Sequence, residues 1–494
     1  MSRSGVLLGA GLAAALASGC TVGPNYRPPT PTALGADAGY AAPAPAPAAA
    51  PTDLSAWWTR FDDPILTDLV ARATASNLQI AQSAARLVQA REARVQAQAA
   101  RLPALTGSLG DTRTVTRAPS TGLVIGSGDP ATGGGVISTG GNSSTSQLSL
   151  GLDASWQADL FGGLRRSVEA ARAAEDSSRF DLEAIRTSIA GEVATNYIDA
   201  RLAQARLAIA RDTLKTQDDN LQIAGWRVQA GLVSALDEEQ ARVQRAQTAA
   251  SIPTIETSLS SAVNRLAVLT GRPPGALNAE LAGPRPIPAD PNGVALGIPA
   301  DTLRNRPDVR SAERQLAAAT ARIGVAKAAL YPALSITGSL NTAAGGVGGL
   351  GRQVTSQLFA GLTQTLFDGG ALHAQVRSAR AGADLAFATY KQTVLTGLED
   401  VENAADSLDA ARRRQAELVI ARDAANTAAL YARNQYGSGL TDFLTLLQSE
   451  QSLLSARDAL VAVQADQSLA MVQLYLALGG GWEPAALPGT GPKP

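Results

Sequence analysis

Four short stretches of alternating residues set the hardest limit on this chain. Over 147–160, Leu148, Leu150, Leu152, Ala154, Trp156, Ala158 and Leu160 alternate with Gln147, Ser149, Gly151, Asp153, Ser155, Gln157 and Asp159, the period of a strand with one apolar and one polar face. Leu334, Ile336, Gly338 and Leu340 repeat the pattern over 333–341. Leu358, Ala360, Leu362 and Leu366 do so over 354–367, with Gln364 as the exception, and 103–116 carries a weaker version in Leu105, Gly107 and Leu109. Such strands have the ~9–11 residues that an oblique bilayer crossing needs. One face of a soluble sandwich alternates in the same way, but the rest of the chain is written for helices, which favours a membrane barrel. Four strands cannot close a barrel, and open strand edges are not tolerated in hydrocarbon, so several chains must share one.

The strands belong to a pattern written twice. Arg101-Leu102-Pro103-Ala104-Leu105 returns as Leu330-Tyr331-Pro332-Ala333-Leu334, Leu160-Phe161-Gly162-Gly163 as Leu366-Phe367-Asp368-Gly369-Gly370, and Ala230-Gly231-Leu232 as Ser438-Gly439-Leu440. Repeats of this length are duplicated domains rather than solenoid units. Each opens with a helix, 65–100 and 301–329, stopped by Pro103 or Pro332. After the Gly-Gly pairs, 164–228 and 371–435 are proline-free runs of helix formers, about 95 Å each at 1.5 Å per residue. Glycine then favours a left-handed cap, and returning helices run to 270 and 478. Helices this long need neighbouring helices for their Ala-rich faces, while Gln89, Arg94, Gln96 and Gln98 mark solvated ones. The loops about 117–146 and 342–353 are rich in Gly, Ser and Thr and should be wet.

The amino terminus is a targeting signal. Arg3 precedes an apolar stretch, residues 5–17, that is too short to span a membrane, and Leu16-Ala17-Ser18-Gly19-Cys20 resembles a lipobox. Acylation of Cys20 would anchor the chain firmly, and the absence of Asp at position 21 resembles lipoproteins sent to the outer membrane. Residues 21–51, rich in Pro and Ala, read as an extended tether. The division is then a signal peptide at 1–19, a lipidated tether at 20–52, repeats at 53–283 and 284–482, and a tail at 483–494.

Composition removes other functions. With 42 basic and 43 acidic side chains there is no net field for nucleic acid. One histidine, His373, and one cysteine leave no disulfide, no His/Cys metal site and no His-dependent triad. No phosphate loop accompanies the Gly-Gly pairs. The chain is expected to be no enzyme and to carry no cofactor. His373 reads as structural or surface, and Arg165 and Arg166 as neighbours of lipid headgroups or of a barrel rim.

The segments Cys20 to Pro28 (CTVGPNYRP), Trp57-Trp58 with Phe61-Asp62-Asp63-Pro64, the paired landmarks and the closing Leu474-Tyr475-Leu476-Ala477-Leu478-Gly479-Gly480-Gly481-Trp482 together resemble the TolC-like outer-membrane factor family, in its lipidated OprM/NodT-like branch. The resemblance covers nearly the whole chain. It implies a mostly α fold with a β-barrel contribution: a homotrimer in which each chain gives four strands to a shared 12-stranded barrel, above a long periplasmic α-helical barrel. It also implies a periplasmic adaptor protein, an inner-membrane RND-type transporter, contact with outer-membrane lipid, and passive efflux of small toxic solutes. The outer channel of a type I protein secretion system is the alternative, and a non-conducting lipid-anchored scaffold a remoter one.

By the same resemblance, Gly231, Leu232, Gly439 and Leu440 form tips that meet the adaptor. Asp237 and Tyr436 stand where relatives tie neighbouring coils together in a closed state. Gln448 occupies a place often acidic at the constriction, position 445 is Thr, and Asp442 and Glu450 are the nearby acidic substitutes.

Overall fold

The computed structural model describes residues 21–35, 54–117, 143–289 and 306–483. Its elements are α1 (Pro64–Ser76), α2 (Leu78–Ala99), β1 (Ala104–Thr116), β2 (Ser143–Ala158), α3 (Gly163–Gln229), α4 (Ala235–Leu269), α5 (Pro307–Ala328), β3 (Ala333–Ala344), β4 (Val354–Thr363), α6 (Ala371–Gly437) and α7 (Phe443–Ala477). Among the described residues the helices and strands follow the expected order, residues 301–305 of the second opening helix lying outside them, and Pro64 and Pro307 open their helices where a missing amide hydrogen costs nothing.

Three boundaries differ from expectation. The opening helix of the first repeat is two helices, because buried Asn77 competes with the backbone. Its Oδ1 accepts from the amides of Gln79 (2.8 Å) and Ile80 (3.3 Å), while its Nδ2 donates to the Leu269 carbonyl at 2.9 Å. β4 stops at Thr363, leaving Leu366 and Phe367 outside the ladder and over 90% or about 90% exposed. β2 starts earlier than its apolar alternation, since Ser144, Thr145 and Ser146 pair with Val115, Thr114 and Arg113 of β1.

The chain divides into two compact units that do not follow the repeats; each draws on both. One comprises Glu92–Arg172 and Ala318–Ala383 with residues up to Tyr26; the other comprises Arg27–Arg91, Ala173–Ala317 and Asp384–Pro494. The first holds a single antiparallel sheet in the order β1-β2-β3-β4. Its register sets Leu109 opposite Leu150, Leu152 opposite Leu340 and Gly338 opposite Leu358.

The second unit holds the main core, where Trp57, Phe61, Leu66, Leu69, Val193 and Leu266 are buried together. Trp57 stacks on Tyr475 with ring centroids 5.5 Å apart, and Phe61 meets Tyr475 edge-on, geometries worth something beyond area burial. The Phe61-Asp62-Asp63-Pro64 motif has a physical reason here. Asp62 takes a left-handed φ of 50° that ends the turn Trp57–Phe61, and Asp63 caps α1 by accepting from the amides of Ile65 and Leu66. The other Asp63 oxygen accepts from the Tyr197 hydroxyl at 2.7 Å. Arg201, only 1% exposed, donates to that hydroxyl (2.9 Å), to Gln204 Oε1 (2.7 Å) and to the Gly283 carbonyl (2.9 Å).

Candidate functional site

Strand parity sorts the sheet into two faces. On one lie Leu105 and Leu109, Leu148 through Trp156 in alternation, Leu334, Ile336 and Leu340, and Leu358 and Leu362. Many of these are exposed in the single chain, Leu358 at 81% and Leu109 at 73%. The other face carries Thr106, Ser108, Ser149, Ser155, Ser335, Thr337, Ser339, Asn341 and Gln357. An exposed apolar face this wide needs lipid or protein over it, and β1 and β4 each keep one edge without a strand partner among the described residues.

At the foot of the sheet each strand pair feeds a capped helix. Asp159 accepts from the amides of Leu164 (3.1 Å) and Arg165 (2.8 Å), opening α3. Asp368 accepts from those of Gly370 (2.8 Å) and Leu372 (2.6 Å), opening α6, and these bonds hold its carboxyl below the usual carboxylate range. His373 is exposed beside this cap.

Both arginines are held at this foot of the sheet, Arg165 on its exposed side and Arg166 in its interior. Arg165 is paired with Asp159. Arg166 is buried and donates to the carbonyls of Val22 (3.2 Å) and Gly23 (3.3 Å), to Asn25 Oδ1 (2.7 Å) and to Glu169 (2.7 Å). The Val22 amide donates to the Phe161 carbonyl at 3.1 Å. Gly23, at φ +99°, lies so close to Gly324 that a Cβ there would stand 2.5 Å from the Gly324 Cα. Cys20 itself lies outside the described residues, but the segment that follows it is clamped to the sheet-bearing unit.

In the other unit the two helix reversals are near copies. Gly231 (φ +70°) and Gly439 (φ +75°) hold the left-handed position. The Leu232 amide donates to the Arg227 carbonyl at 2.9 Å and Leu440 to Gln435 at 2.8 Å, with Gly231 reaching Val228 and Gly439 reaching Tyr436. These paired bonds satisfy the last carbonyls of α3 and α6. Ser234 then caps α4 and Asp442 caps α7, accepting from the amides of Leu236 (3.2 Å) and Thr445 (2.8 Å). The bonds from Thr445 hold the Asp442 carboxyl below its usual range. Leu232 and Leu440 stand 70% and 79% exposed, with Leu236 and Leu444 beside them also exposed.

The expected gate residues are not joined within one chain. Tyr436 is buried among Ala224, Ala241, Ala432, Phe443 and Leu446, with the Arg227 guanidinium 4.5 Å from its ring centroid, an arrangement sequence spacing gave no means to find. Its hydroxyl has no hydrogen-bond partner among the described residues. Asp237 lies in the first turn of α4, half-buried. Gln448 is exposed. Neither acidic substitute is free: Asp442 is a helix cap, and Glu450, 7% exposed, accepts from Arg433 Nε at 2.8 Å and Asn220 Nδ2 at 2.7 Å.

The sequence profile of outer membrane efflux proteins matches residues 69–272 and 298–480. The chain is 32% identical over 482 residues to nodulation protein T of Rhizobium leguminosarum bv. trifolii, covering 96% of this chain and 97% of the relative. It is 31% identical over 465 residues to the pyoverdine export outer membrane protein OpmQ of Pseudomonas aeruginosa, covering 92% and 94%. Among solved structures, the outer-membrane channel OprN superposes with a TM-score of 0.81 at 34% identity, over 94% of this chain and 100% of that one.

Proposed function

Because this chain belongs to the outer membrane efflux protein family, we propose that it is the exit duct of a tripartite efflux pump, conducting small toxic compounds passively through a gated pore shared by three copies. The observation that carries the reading is the sheet: four antiparallel strands with one apolar face and, among the described residues, two unpaired edges, which lipid can accept only when copies join edge to edge. The polar face then becomes the lumen. An acylated Cys20 would supply a second hold on the outer membrane. Mass spectrometry of the mature protein would detect the acyl chains, and Cys20→Ser should lose them.

The tips fit a periplasmic adaptor. A reversal closed by left-handed glycine lets another helix hairpin approach closely, and exposed Leu232 and Leu440 offer apolar anchors. The adaptor would in turn link the duct to an energy-supplying RND-type transporter. No step calls for catalysis by this chain.

The test is reconstitution of the purified, lipidated protein into planar bilayers. A heat-dissociable trimer giving discrete conductance steps is expected; a monomer that gives none overturns the reading. The gate can be read in the same recordings. A buried phenol with no acceptor costs roughly 1–3 kcal/mol, so if Tyr436 has no partner in the trimer, Tyr436→Phe tightens the tip and leaves opening unchanged. If Asp237 of a neighbouring coil accepts from it in the closed state, both Tyr436→Phe and Asp237→Ala raise the open probability.

A further inference from the structure

The polar face of the sheet carries, among the described residues, one charged side chain, Asp153, and one aromatic ring, Phe359. Everything else there is hydroxyl, amide, alanine or glycine. The two exceptions hold the same place in the duplicated pattern: each stands seven residues before the leucine of its Leu-Phe landmark, Leu160 or Leu366. Within the sheet Asp153 pairs with Ser339 and Ser339 with Gln357. Phe359 is therefore two strands across and two residues further toward the helices.

For strands tilted by roughly 35–45°, a sideways step of two strands and a lengthwise step of two residues each change height by about 5–6 Å. The equivalence of the repeats makes the two steps oppose each other, so Asp153 and Phe359 lie at one level. Phe359 is 57% exposed, and its ring lies over Gly361, where a Cβ would come within 2.6 Å of the ring Cε1. The glycine on the same face thus gives the ring room to lie along the strand, presenting its surface to whatever passes.

We propose that in the shared barrel three Asp153 carboxylates and three Phe359 rings alternate around one level of the lumen and form a site for organic cations with an aromatic or apolar body. The inference rests on the shared-barrel reading given above. Carboxylates alone would draw any cation, hydrated potassium included, and aromatic rings alone would favour apolar solutes without regard to charge. Together they favour a weakly hydrated cation, which gains both Coulomb attraction and contact with the ring faces. The surrounding hydroxyls of Thr106, Thr337 and Ser339 add no charge of the opposite sign.

The test is block of the potassium current through reconstituted trimers by tetraphenylphosphonium added on the barrel side. The wild type should be blocked reversibly and should prefer potassium over chloride. Asp153→Asn should weaken the block by about tenfold and lower the potassium-to-chloride permeability ratio. Phe359→Leu should weaken the block several-fold while leaving that ratio unchanged, and Phe359→Trp should restore the block, since it restores an aromatic face. Block that survives both Asp153→Asn and Phe359→Leu, in channels of normal conductance, overturns the site, as does loss of block in Phe359→Trp equal to that in Phe359→Leu. A wild-type protein that never conducts overturns the shared-barrel reading instead.

Discussion

The two returning helices, α4 and α7, start from matching reversals, have the same length of 35 residues, and are built on opposite terms. α7 buries one face along its whole course, from Phe443, Leu446 and Glu450 through Leu460 and Val463 to Tyr475. α4 buries only Ala241 and Thr248 before Ala262. Its ion pairs to α3, Arg245 to Asp218, Arg211 to Glu256 and Arg265 to Glu192, are all exposed, each worth little in water. α4 also carries Pro253 inside the helix, where α7 has Val461. A proline frees one carbonyl, which water satisfies readily on a solvated helix and less readily on a packed one. Duplication has kept the backbone geometry of the helix ends and let the faces between them diverge.

That contrast can be broken by exchanging its parts. Val461→Pro should cost about 3 kcal/mol or more and lower the temperature at which the trimer dissociates on a gel, whereas Pro253→Ala should raise it. If Val461→Pro were harmless, burial would not be what separates the two helices. Next in size, Glu450→Ala removes the acceptor shared by Arg433 and Asn220 and should cost about 2–3 kcal/mol. Glu256→Gln, on the exposed Arg211 pair, should cost under about 1 kcal/mol. Thermal unfolding followed by circular dichroism measures both, and equal losses would contradict the contrast. The reversals, by comparison, should behave alike. Gly231→Ala and Gly439→Ala should each cost about 1–2 kcal/mol through left-handed strain alone, because a methyl group meets nothing at 231 and only the far end of Arg227, 3.8 Å away, at 439. A cost at one tip and none at the other would end the parallel.

What could be read in advance follows the same division. The strands, the long helices and the reversals are written in local signals: alternation in 147–160, the absence of proline from 164–228, glycine at 231 and 439. These came out within a few residues. The break at Asn77 escaped because its partner, the Leu269 carbonyl, is distant in the chain. The same is true of Arg166, whose acceptors in Gly23 and Asn25 precede it by well over a hundred residues; two arginines after Gly-Gly give no sign of which one meets backbone. Glu450 looked available to line a constriction, and only the packing of α3, α6 and α7 shows it spent on Asn220 and Arg433. Asp153 and Phe359 were legible as members of alternating strands, but their common face and level needed the register.

The long helices diverge as their returns do, and here the difference can be titrated. α3 and α6 both have 67 residues, yet where α3 places Tyr197 and Arg201, α6 has Ala405 and Asp409. The Tyr197 hydroxyl sits between the Asp63 carboxylate that accepts its proton and the Arg201 guanidinium that donates to it. Burial first and the bond to Asp63 second push its pKa up to about 12, against the smaller downward pull of Arg201. A folded-state pKa above the unfolded value of about 10 means that the neutral phenol stabilises the fold. That contribution is complete below about pH 10 and is lost as pH climbs toward 12. Absorbance of phenolate near 295 nm should therefore show one tyrosine ionising late, and Tyr197→Phe should remove that late step. Asp63→Asn should shift it downward, because the amide accepts the hydroxyl proton without repelling the phenolate charge. If the late step persists in Tyr197→Phe, the buried node of α3 is not what the proton is leaving, and the asymmetry between the two long helices has to be sought in their apolar contacts instead.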